Sequence, residues 1–151
     1  MTIELITTPT PELHEAMARL LPQLSRSAKP MSEADVERFL AQGGVHLFVF
    51  RPDTADAEGN RPILGMLSLA TFEIPTGVRA WVEDVVVDEA ARGHGAGQSL
   101  VVAAIEHAKK IGARTVDLTS RPSREAANRL YQRAGFKLRE TNVYRVTLEQ
   151  K

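Results

Sequence analysis

Residues 92–98, RGHGAGQ, are of types and at a spacing that could bind an anion. Glycines stand at positions 93, 95 and 97, immediately before an apolar-periodic stretch that predicts a helix. The first turn of a helix carries unpaired N–H groups and the positive end of the helix dipole, and glycine lets oxygen atoms come close to that backbone. Arg92 adds a guanidinium that can bind a phosphate through two hydrogen bonds. The segment therefore predicts a pyrophosphate site.

Two common phosphate-binding patterns do not fit this segment. A Walker loop has four residues between its glycines and then Lys followed by Ser or Thr, whereas Gly97 precedes Gln98 and Ser99. The dinucleotide pattern G-x-G-x-x-G fails because Gln98 occupies the place of its last glycine, and because three strands are predicted before the strand that leads to this loop. A bound nucleotide such as ATP or NAD, and a glycine-rich turn without any ligand, remain alternatives.

Hydrophobic periodicity predicts the elements that must position this loop. The order is β-α-α-β-β-β-α-β-α-β, which predicts one α/β (α+β) domain over residues 1–151, with a mixed sheet and helices on its faces. The strands are predicted at 2–7, 45–50, 62–74, 80–87, 115–120 and 143–148, and the helices at about 13–24, 32–43, 96–111 and 123–135. Ser32 and Asp35 form a capping-box pattern at the start of the second helix.

Two motifs make the sequence resemble the GNAT family of N-acetyltransferases. The stretch VVVDEAARGHGAGQSL is similar to that family's acetyl-CoA motif, R/Q-x-x-G-x-G/A, which is met by Arg92, Gly95 and Gly97. Downstream, EAANRLYQRAGF resembles the second signature, A-x-x-L-Y-x-x-x-G-F, which is met by Ala127, Leu130, Tyr131, Gly135 and Phe136. The resemblance covers roughly residues 45–148. It implies a mostly antiparallel central sheet flanked by helices, and transfer of an acetyl group from acetyl-CoA to an amine.

The resemblance also implies which residues would hold acetyl-CoA. In that family the strand before the glycine loop splays from its neighbour, and the pantetheine arm pairs with the freed backbone, which here belongs to Val85, Val86 and Val87. The pyrophosphate would lie on the amides of Arg92, Gly93, His94, Gly95, Ala96, Gly97 and Gln98. The asparagine that the family often has before the second signature is Arg124 here, so Asn128, one helical turn later, is the candidate cofactor contact.

Acetyl transfer to an amine requires a group that accepts a proton, because a lysine-like amine with a pKa of about 10.4 is protonated at neutral pH. Glu83 and Asp84 are adjacent in the strand before the loop, so their side chains point to opposite faces. Glu83 is the candidate base and Asp84 the competitor. A solvated charge at the strand edge is the alternative for both. Trp81 is expected to serve hydrophobic packing.

The family resemblance gives Tyr131 a role as the donor of a proton to the departing CoA thiolate, although its helical spacing is equally typical of a core residue. A backbone N–H freed at a strand bulge near Val85 would stabilise the oxyanion. The sequence has no cysteine, which excludes an acetyl-cysteine intermediate and favours direct attack in a ternary complex.

The composition of the chain indicates which other molecules it is not expected to bind. The chain has 19 Lys and Arg against 19 Asp and Glu, so no overall field would draw in nucleic acid or an anionic membrane. No segment approaches the roughly 20 apolar residues of a membrane span, and a cytoplasmic location is expected. The four histidines lack ligand-like spacing, so no metal is expected. A homodimer is conceivable, because the predicted last strand, 143–148, is an edge that needs cover.

The acceptor is not encoded in a readable motif. Residues 25–33 and 71–79 are expected to shape its site, and a small amine, an amino sugar and a peptide N-terminus all remain open. A non-catalytic domain that binds acyl-CoA as a sensor or assembly module is the alternative function.

Overall fold

The computed structural model describes residues 2–149. Its strands and helices are β1 (Thr2–Ile6), α1 (Pro11–Leu24), α2 (Glu33–Leu40), β2 (Val45–Arg51), β3 (Gly65–Ile74), β4 (Gly77–Val87), α3 (Ala96–Lys110), β5 (Ala113–Asp117) and α4 (Glu125–Arg133). A single 3-10 turn, Glu89–Ala91, lies between β4 and the glycine loop. The predicted order of elements is confirmed as far as α4.

The strands form one sheet in the order β1-β2-β3-β4-β5. The neighbours from β1 to β4 pair antiparallel, and only β4 and β5 pair parallel. The predicted fold class is therefore confirmed: a mixed, mostly antiparallel sheet flanked by helices. The parallel pair is possible because α3 carries the chain back across the sheet between β4 and β5.

The core occupies both faces of the sheet, because β2 is apolar on both of its faces. Successive side chains of a strand point to opposite sides, so Leu47 and Val49 face one layer while Phe48 and Phe50 face the other. The first layer also holds Leu13, Met17 and Leu20 of α1 and Val36 of α2. The second holds Leu100, Val101, Ala104 and Ala108 of α3 together with Tyr131 of α4. Helices thus cover the two faces, and α3 and α4 share the face on which the glycine loop ends.

The capping box predicted at the start of α2 is confirmed. The Asp35 N–H donates to Ser32 Oγ at 3.1 Å, and the Ser32 N–H donates to Asp35 Oδ2 at 2.9 Å. Hydrogen bonds from the Ser32 backbone and from the Arg38 guanidinium lower the pKa of Asp35 to about 2. Two N–H groups that the helix itself leaves unpaired are satisfied in this way.

The prediction of a last strand at 143–148 is wrong. Residues 137–149 form no strand, and their apolar side chains are exposed, Leu138 by 95%, Tyr144 by 88% and Val146 by 81%. Alternating apolar residues give a segment the capacity to pair, but a strand exists only where a neighbour supplies N–H and C=O groups. In this structure the segment does not reach the free edge of β5.

Candidate active site

A cleft opens beside β4 beyond the end of β5, because β5 is paired with β4 over its whole length but is the shorter of the two strands. The last paired residues are Trp81 and Asp117. β5 ends there, whereas β4 continues to Val87. Beyond Trp81, the edge of β4 that faces β5 therefore has no partner strand among residues 2–149. Val85, Val86 and Val87, the residues that the family resemblance assigns to the pantetheine arm, lie on this unpaired part of the edge.

A β-bulge lies in the part of β4 that is paired with β3 but not with β5. Met66 of β3 is opposite Val86 and Ser68 is opposite Glu83, so two residues of β4, Asp84 and Val85, face Leu67 alone. Asp84 has a φ of +50°, a conformation that residues other than glycine rarely adopt. The bulge therefore turns the main-chain groups of Asp84 and Val85 out of the regular ladder at the edge of the cleft.

Glycine is favoured at the three loop positions for different structural reasons. Gly93 and Gly95 have φ values of +85° and +81°, in the left-handed region, and Gly95 is the N-cap of α3. Gly97 lies within α3, where an added Cβ would stand 2.8 Å from Leu130 Cδ1 of α4 and 4.0 Å from a Val87 methyl group. The group that approaches Gly97 is thus a side chain of α4. At this point β4, the glycine loop and α4 meet.

The start of α3 has unpaired polar groups that fit an anion. Gly95 provides no side-chain cap, so the first N–H groups of the helix have no side-chain partner. Gln98 also lies in this turn, and its Oε1, which can only accept a hydrogen bond and so would not bind an anion, is buried without a partner. Ala96 is buried, whereas Arg92 and His94 are exposed. The Arg92 Nε donates to the Val87 carbonyl at 3.1 Å, which ties the loop to the end of β4.

The glycine loop is also anchored to α1, a feature that the sequence analysis missed. Arg19 donates to Asp88 Oδ2 at 2.8 Å and to the Ile63 carbonyl at 2.9 Å. The Glu89 N–H donates to Gln23 Oε1 at 3.0 Å. Hydrogen bonds from the Ala90 N–H and then from Arg19 lower the pKa of Asp88, so its carboxylate is charged at neutral pH. These contacts fix the start of the loop from the opposite face of the sheet.

Glu83, the candidate base, is exposed and is held by a neighbour on its own strand. The Trp81 Nε1–H donates to Glu83 Oε1 at 2.7 Å. Trp81 was expected to serve packing only, but it is half-buried and its indole orients the carboxylate. The i, i+2 spacing, which places both side chains on one face of β4, is the sequence signal that could have found this contact.

Tyr131 lies on α4 and is buried, 8% exposed, within the core layer of α3. Burial raises the pKa of its phenol, which keeps the proton on the hydroxyl at neutral pH. The ring packs edge to face on Phe136, with centroids 6.0 Å apart. Asn128, one turn earlier, uses its Nδ2 to donate to the Arg121 carbonyl at 2.9 Å, so this amide group holds the start of α4 and leaves its oxygen for another partner.

The sequence matches the family model described as acetyltransferase (GNAT) family over residues 11–136. The chain therefore belongs to the GNAT family of acetyltransferases. The match includes the glycine loop, the unpaired edge of β4 and the part of α4 that carries Tyr131.

Solved structures of the same architecture extend over almost the whole chain. An acetyltransferase from Trypanosoma brucei is 25% identical, covers 97% of this chain and 99% of its own, and has a TM-score of 0.73. A transcriptional regulator from Bacillus halodurans C-125 is 28% identical, covers 97% and 99%, and has a TM-score of 0.69. An aminoglycoside acetyltransferase from an uncultured soil metagenomic sample, in complex with sisomicin, has a TM-score of 0.81 over 98% and 96%, but at 18% identity it shows the fold alone.

No curated protein sequence matches this chain significantly. None of the helices formed by residues 2–149 has the length and apolar character needed to span a bilayer. Within the same residues, no three His, Asp or Glu side chains come together as a metal ion would require.

Proposed function

We propose that the protein is an N-acetyltransferase that moves the acetyl group of acetyl-CoA directly to a primary amine of a small molecule or peptide. One observation carries this proposal: the unpaired edge of β4, with its bulge at Asp84 and Val85, leads straight to a glycine loop and an uncapped helix. An extended pantetheine arm has amides that can pair with a strand edge as a peptide does. A pyrophosphate fits the N–H groups and dipole at the start of α3.

In the proposed reaction, the amine nitrogen bonds to the thioester carbonyl carbon and the carbon–sulfur bond breaks. Glu83 accepts the proton of the amine, directly or through water, with Asp84 as the competing base. The backbone N–H at Val85 donates to the oxyanion. Tyr131 gives its proton to the CoA thiolate, a step that is uphill because a thiol has a pKa of about 8.5 and a phenol one of about 10. Correct positioning of the hydroxyl therefore matters more than its acidity.

The acceptor is proposed to enter beside the connection between α1 and α2, residues 25–32, and beside the end of the β3–β4 hairpin. Phe72 in that hairpin is 47% exposed and offers an apolar surface. A small amine, an amino sugar and a peptide N-terminus all fit this description. A screen of amines from the three classes, followed through the release of free CoA thiol, would separate them.

Calorimetric titration with acetyl-CoA, beside ATP and NAD, tests the cleft directly. We expect micromolar binding of acetyl-CoA and no binding of the two nucleotides. Absence of acetyl-CoA binding would contradict the proposal, and preferential binding of ATP or NAD would favour a nucleotide site instead.

Catalysis is tested by Glu83→Gln and Tyr131→Phe, with Asp84→Asn for the competing base. Removal of a general acid or base lowers kcat by about 100-fold or more. The control is Glu58→Gln, which changes an exposed carboxylate in the loop between β2 and β3, outside the proposed site, and should leave kcat unchanged. If acetyl-CoA binds but no amine is acetylated and no variant changes anything, the protein is an acyl-CoA-binding sensor. The likeness to the Bacillus halodurans transcriptional regulator favours this second candidate.

A further inference from the structure

The helices leave open the face of β4 on which the proposed base lies. Ala80 and Val82 point into the core layer of α3, so Arg79, Trp81 and Glu83, which alternate with them, point to the opposite face of the sheet. The helices α1 and α2 pack on that opposite face mainly at β2 and at the start of β3. Arg79 and Glu83 are therefore exposed, and Trp81 is half-buried.

The two neighbouring strands add one side chain each to this open face. Phe72 of β3 is opposite Arg79, and Asp117 of β5 is opposite Trp81. Residues that are directly opposite on neighbouring strands point to the same side of the sheet. The Phe72 side chain is 47% exposed and extends the apolar surface that begins at the indole. We call these five residues the acceptor face: Phe72, Arg79, Trp81, Glu83 and Asp117.

Positive and negative charges lie at different ends of the acceptor face. The carboxylates of Glu83 and Asp117 lie toward the bulge, whereas Arg79 lies toward the β3–β4 hairpin. With a rise of about 3.3 Å per residue, the main-chain positions of Arg79 and Glu83 are roughly 13 Å apart. The carboxylate end attracts an ammonium group, and the guanidinium end attracts an anion. The face therefore fits a molecule that carries both charges.

A cavity of about 360 Å³ lies at the guanidinium end, where β4 and β5 begin. It is lined by residues 76–79 together with Arg114 and Thr115, so two guanidinium groups, those of Arg79 and Arg114, border the same space. Neither of them forms an ion pair with a carboxylate of residues 2–149. The volume is within the range of small-ligand sites, about 300–1,000 Å³. An anion in this cavity would meet two positive charges that no protein carboxylate neutralises.

The Arg114 side chain is held at this cavity by two features of the hairpin. Gly77 has a φ of +137°, and a Cβ added there would stand 2.6 Å from Arg114 Cδ, so the absent side chain makes room for the arginine. The Arg114 Nη1 donates to the Thr76 carbonyl at 2.9 Å. This hydrogen bond leaves the other N–H groups of the guanidinium for a ligand. A guanidinium fixed in this way can bind a phosphate or a carboxylate through two hydrogen bonds.

From this arrangement we infer that the acceptor is a primary amine that also carries an anionic group, a phosphate or a carboxylate, which binds between Arg79 and Arg114 while the nitrogen lies at Glu83. The nitrogen and the anion of such an acceptor are on the order of 10 Å apart. The anion takes no part in the bond changes: the nitrogen bonds to the acetyl carbon, the carbon–sulfur bond breaks, and Glu83 accepts the amine proton. The inference rests on the proposed function, because it names the acceptor class of that reaction.

Amines that differ only in their second group test the inference. One set is 6-aminohexyl phosphate, 6-aminohexanoate, 6-aminohexan-1-ol and 1,6-diaminohexane, and a second is glucosamine 6-phosphate with glucosamine, all followed through release of the CoA thiol. We expect the better anionic amine to exceed its neutral analogue in kcat/KM by about tenfold or more, because hydrogen bonds between charged groups are the stronger ones. The comparison of phosphate with carboxylate identifies which anion the site takes. Equal values within both sets, or a preference for the diamine, would overturn the inference.

Substitution of the two arginines separates the anion site from the cofactor site. Arg79→Met and Arg114→Met should each raise the KM for the preferred anionic amine by about tenfold, while the KM for acetyl-CoA stays unchanged. The matched control is Arg129→Met, which removes an exposed arginine of α4 that is not on the acceptor face and should leave the KM for the amine unchanged. If neither Arg79→Met nor Arg114→Met changes that KM, the inference is wrong.

A direct binding measurement decides the inference even if no amine is acetylated, an outcome that would contradict the proposed function alone. Calorimetric titration with 6-aminohexyl phosphate is carried out in the presence of excess CoA, which occupies the glycine loop. We expect binding to the wild type and an affinity about tenfold lower for Arg79→Met. Arg92→Met, which alters the glycine loop, should not weaken this binding; if it does and Arg79→Met does not, the phosphate binds at the loop and the inference is wrong. Circular dichroism verifies that each variant is folded.

Discussion

Glu83 is the residue on which the proposed chemistry depends, and its orientation comes from Trp81. An exposed glutamate has three rotatable bonds and would otherwise sample many positions. The hydrogen bond of 2.7 Å from the indole selects the conformers that keep Oε1 above Trp81 and leave Oε2 free. A proton acceptor fixed in this way spends more time in the productive geometry than a freely rotating one.

Trp81→Phe keeps the ring but removes the N–H donor. We expect kcat to fall by about 3- to 30-fold while the KM for acetyl-CoA stays unchanged, because only the orientation of Glu83 is lost. The measurement is a double-mutant cycle with Glu83→Gln in a thiol-release assay. If Trp81→Phe lowers kcat by the same factor in the Glu83→Gln background, the indole does not act through Glu83.

At the scale of the elements, the glycine loop is held between two secondary structure elements. Its position could be predicted from the sequence. The position of the loop directly before α3 and the capping box of α2 follow from local patterns and are found as predicted. Some element ends differ from the predicted ones by two residues: α4 starts at Glu125 rather than at about 123, and β5 starts at Ala113 rather than at 115. The anchor from Arg19 to Asp88 could not be predicted, because 69 residues separate the two partners and only the folded sheet brings them together.

Gly95→Ala tests whether the loop conformation serves binding as well as folding. Gly59, in the exposed loop between β2 and β3, has the same φ of +81° and is the matched control. Both substitutions should lower the free energy of unfolding by about 1 kcal/mol, because an L-residue is strained in the left-handed region. Only Gly95→Ala should weaken acetyl-CoA binding in calorimetry. Equal affinities for the two variants would mean that the backbone at Gly95 has no part in the site.

Across the whole molecule, Arg51 ties the end of β2 to two other elements. Its Nε donates to Glu4 of β1 at 3.0 Å, and its two terminal nitrogens donate to the two oxygens of Glu12 of α1 at 2.8 and 2.6 Å. Its side chain is 17% exposed, so the pair is partly sheltered from water. Hydrogen bonds and charge from Arg51 lower the pKa of Glu12. This network links β1, β2 and α1 at the N-terminal side of the fold.

Arg51→Met should lower the free energy of unfolding at pH 7 by about 1–2 kcal/mol. Because the pKa of folded Glu12 is depressed, the stabilisation is complete above the carboxyl's ordinary value and is lost as the pH falls through the folded value. The difference between wild type and variant should therefore shrink between pH 5 and pH 3, as measured by urea unfolding. Arg114→Met, which removes a donor to the Thr76 carbonyl at 2.9 Å and no carboxylate partner, should show no such pH dependence. A pH-independent loss in Arg51→Met would assign the effect to packing.

The predicted strand at 143–148 also belongs to the scale of the whole molecule. It shows that the sequence of a segment does not by itself determine whether the segment pairs as a strand. Val143–Leu148 has the alternation and the β-branched residues of a strand, and these local properties were correctly recognised. Whether a strand forms depends on a neighbour, and no property of the segment itself specifies one. The free edge of β5 and the exposed Tyr144 and Val146 became visible only with the sheet order.

The unpaired edge of β4 affects which amino-acid substitutions this protein can tolerate around the cleft. A strand edge offers main-chain N–H and C=O groups whatever side chains flank it. Substitutions along β3 and β4 can therefore reshape the surroundings of the cleft without removing its wall. Solved structures with as little as 15% identity keep this architecture over nearly the whole chain. What such a wall requires is a backbone conformation, chiefly at the bulge and at the loop glycines, rather than particular side chains.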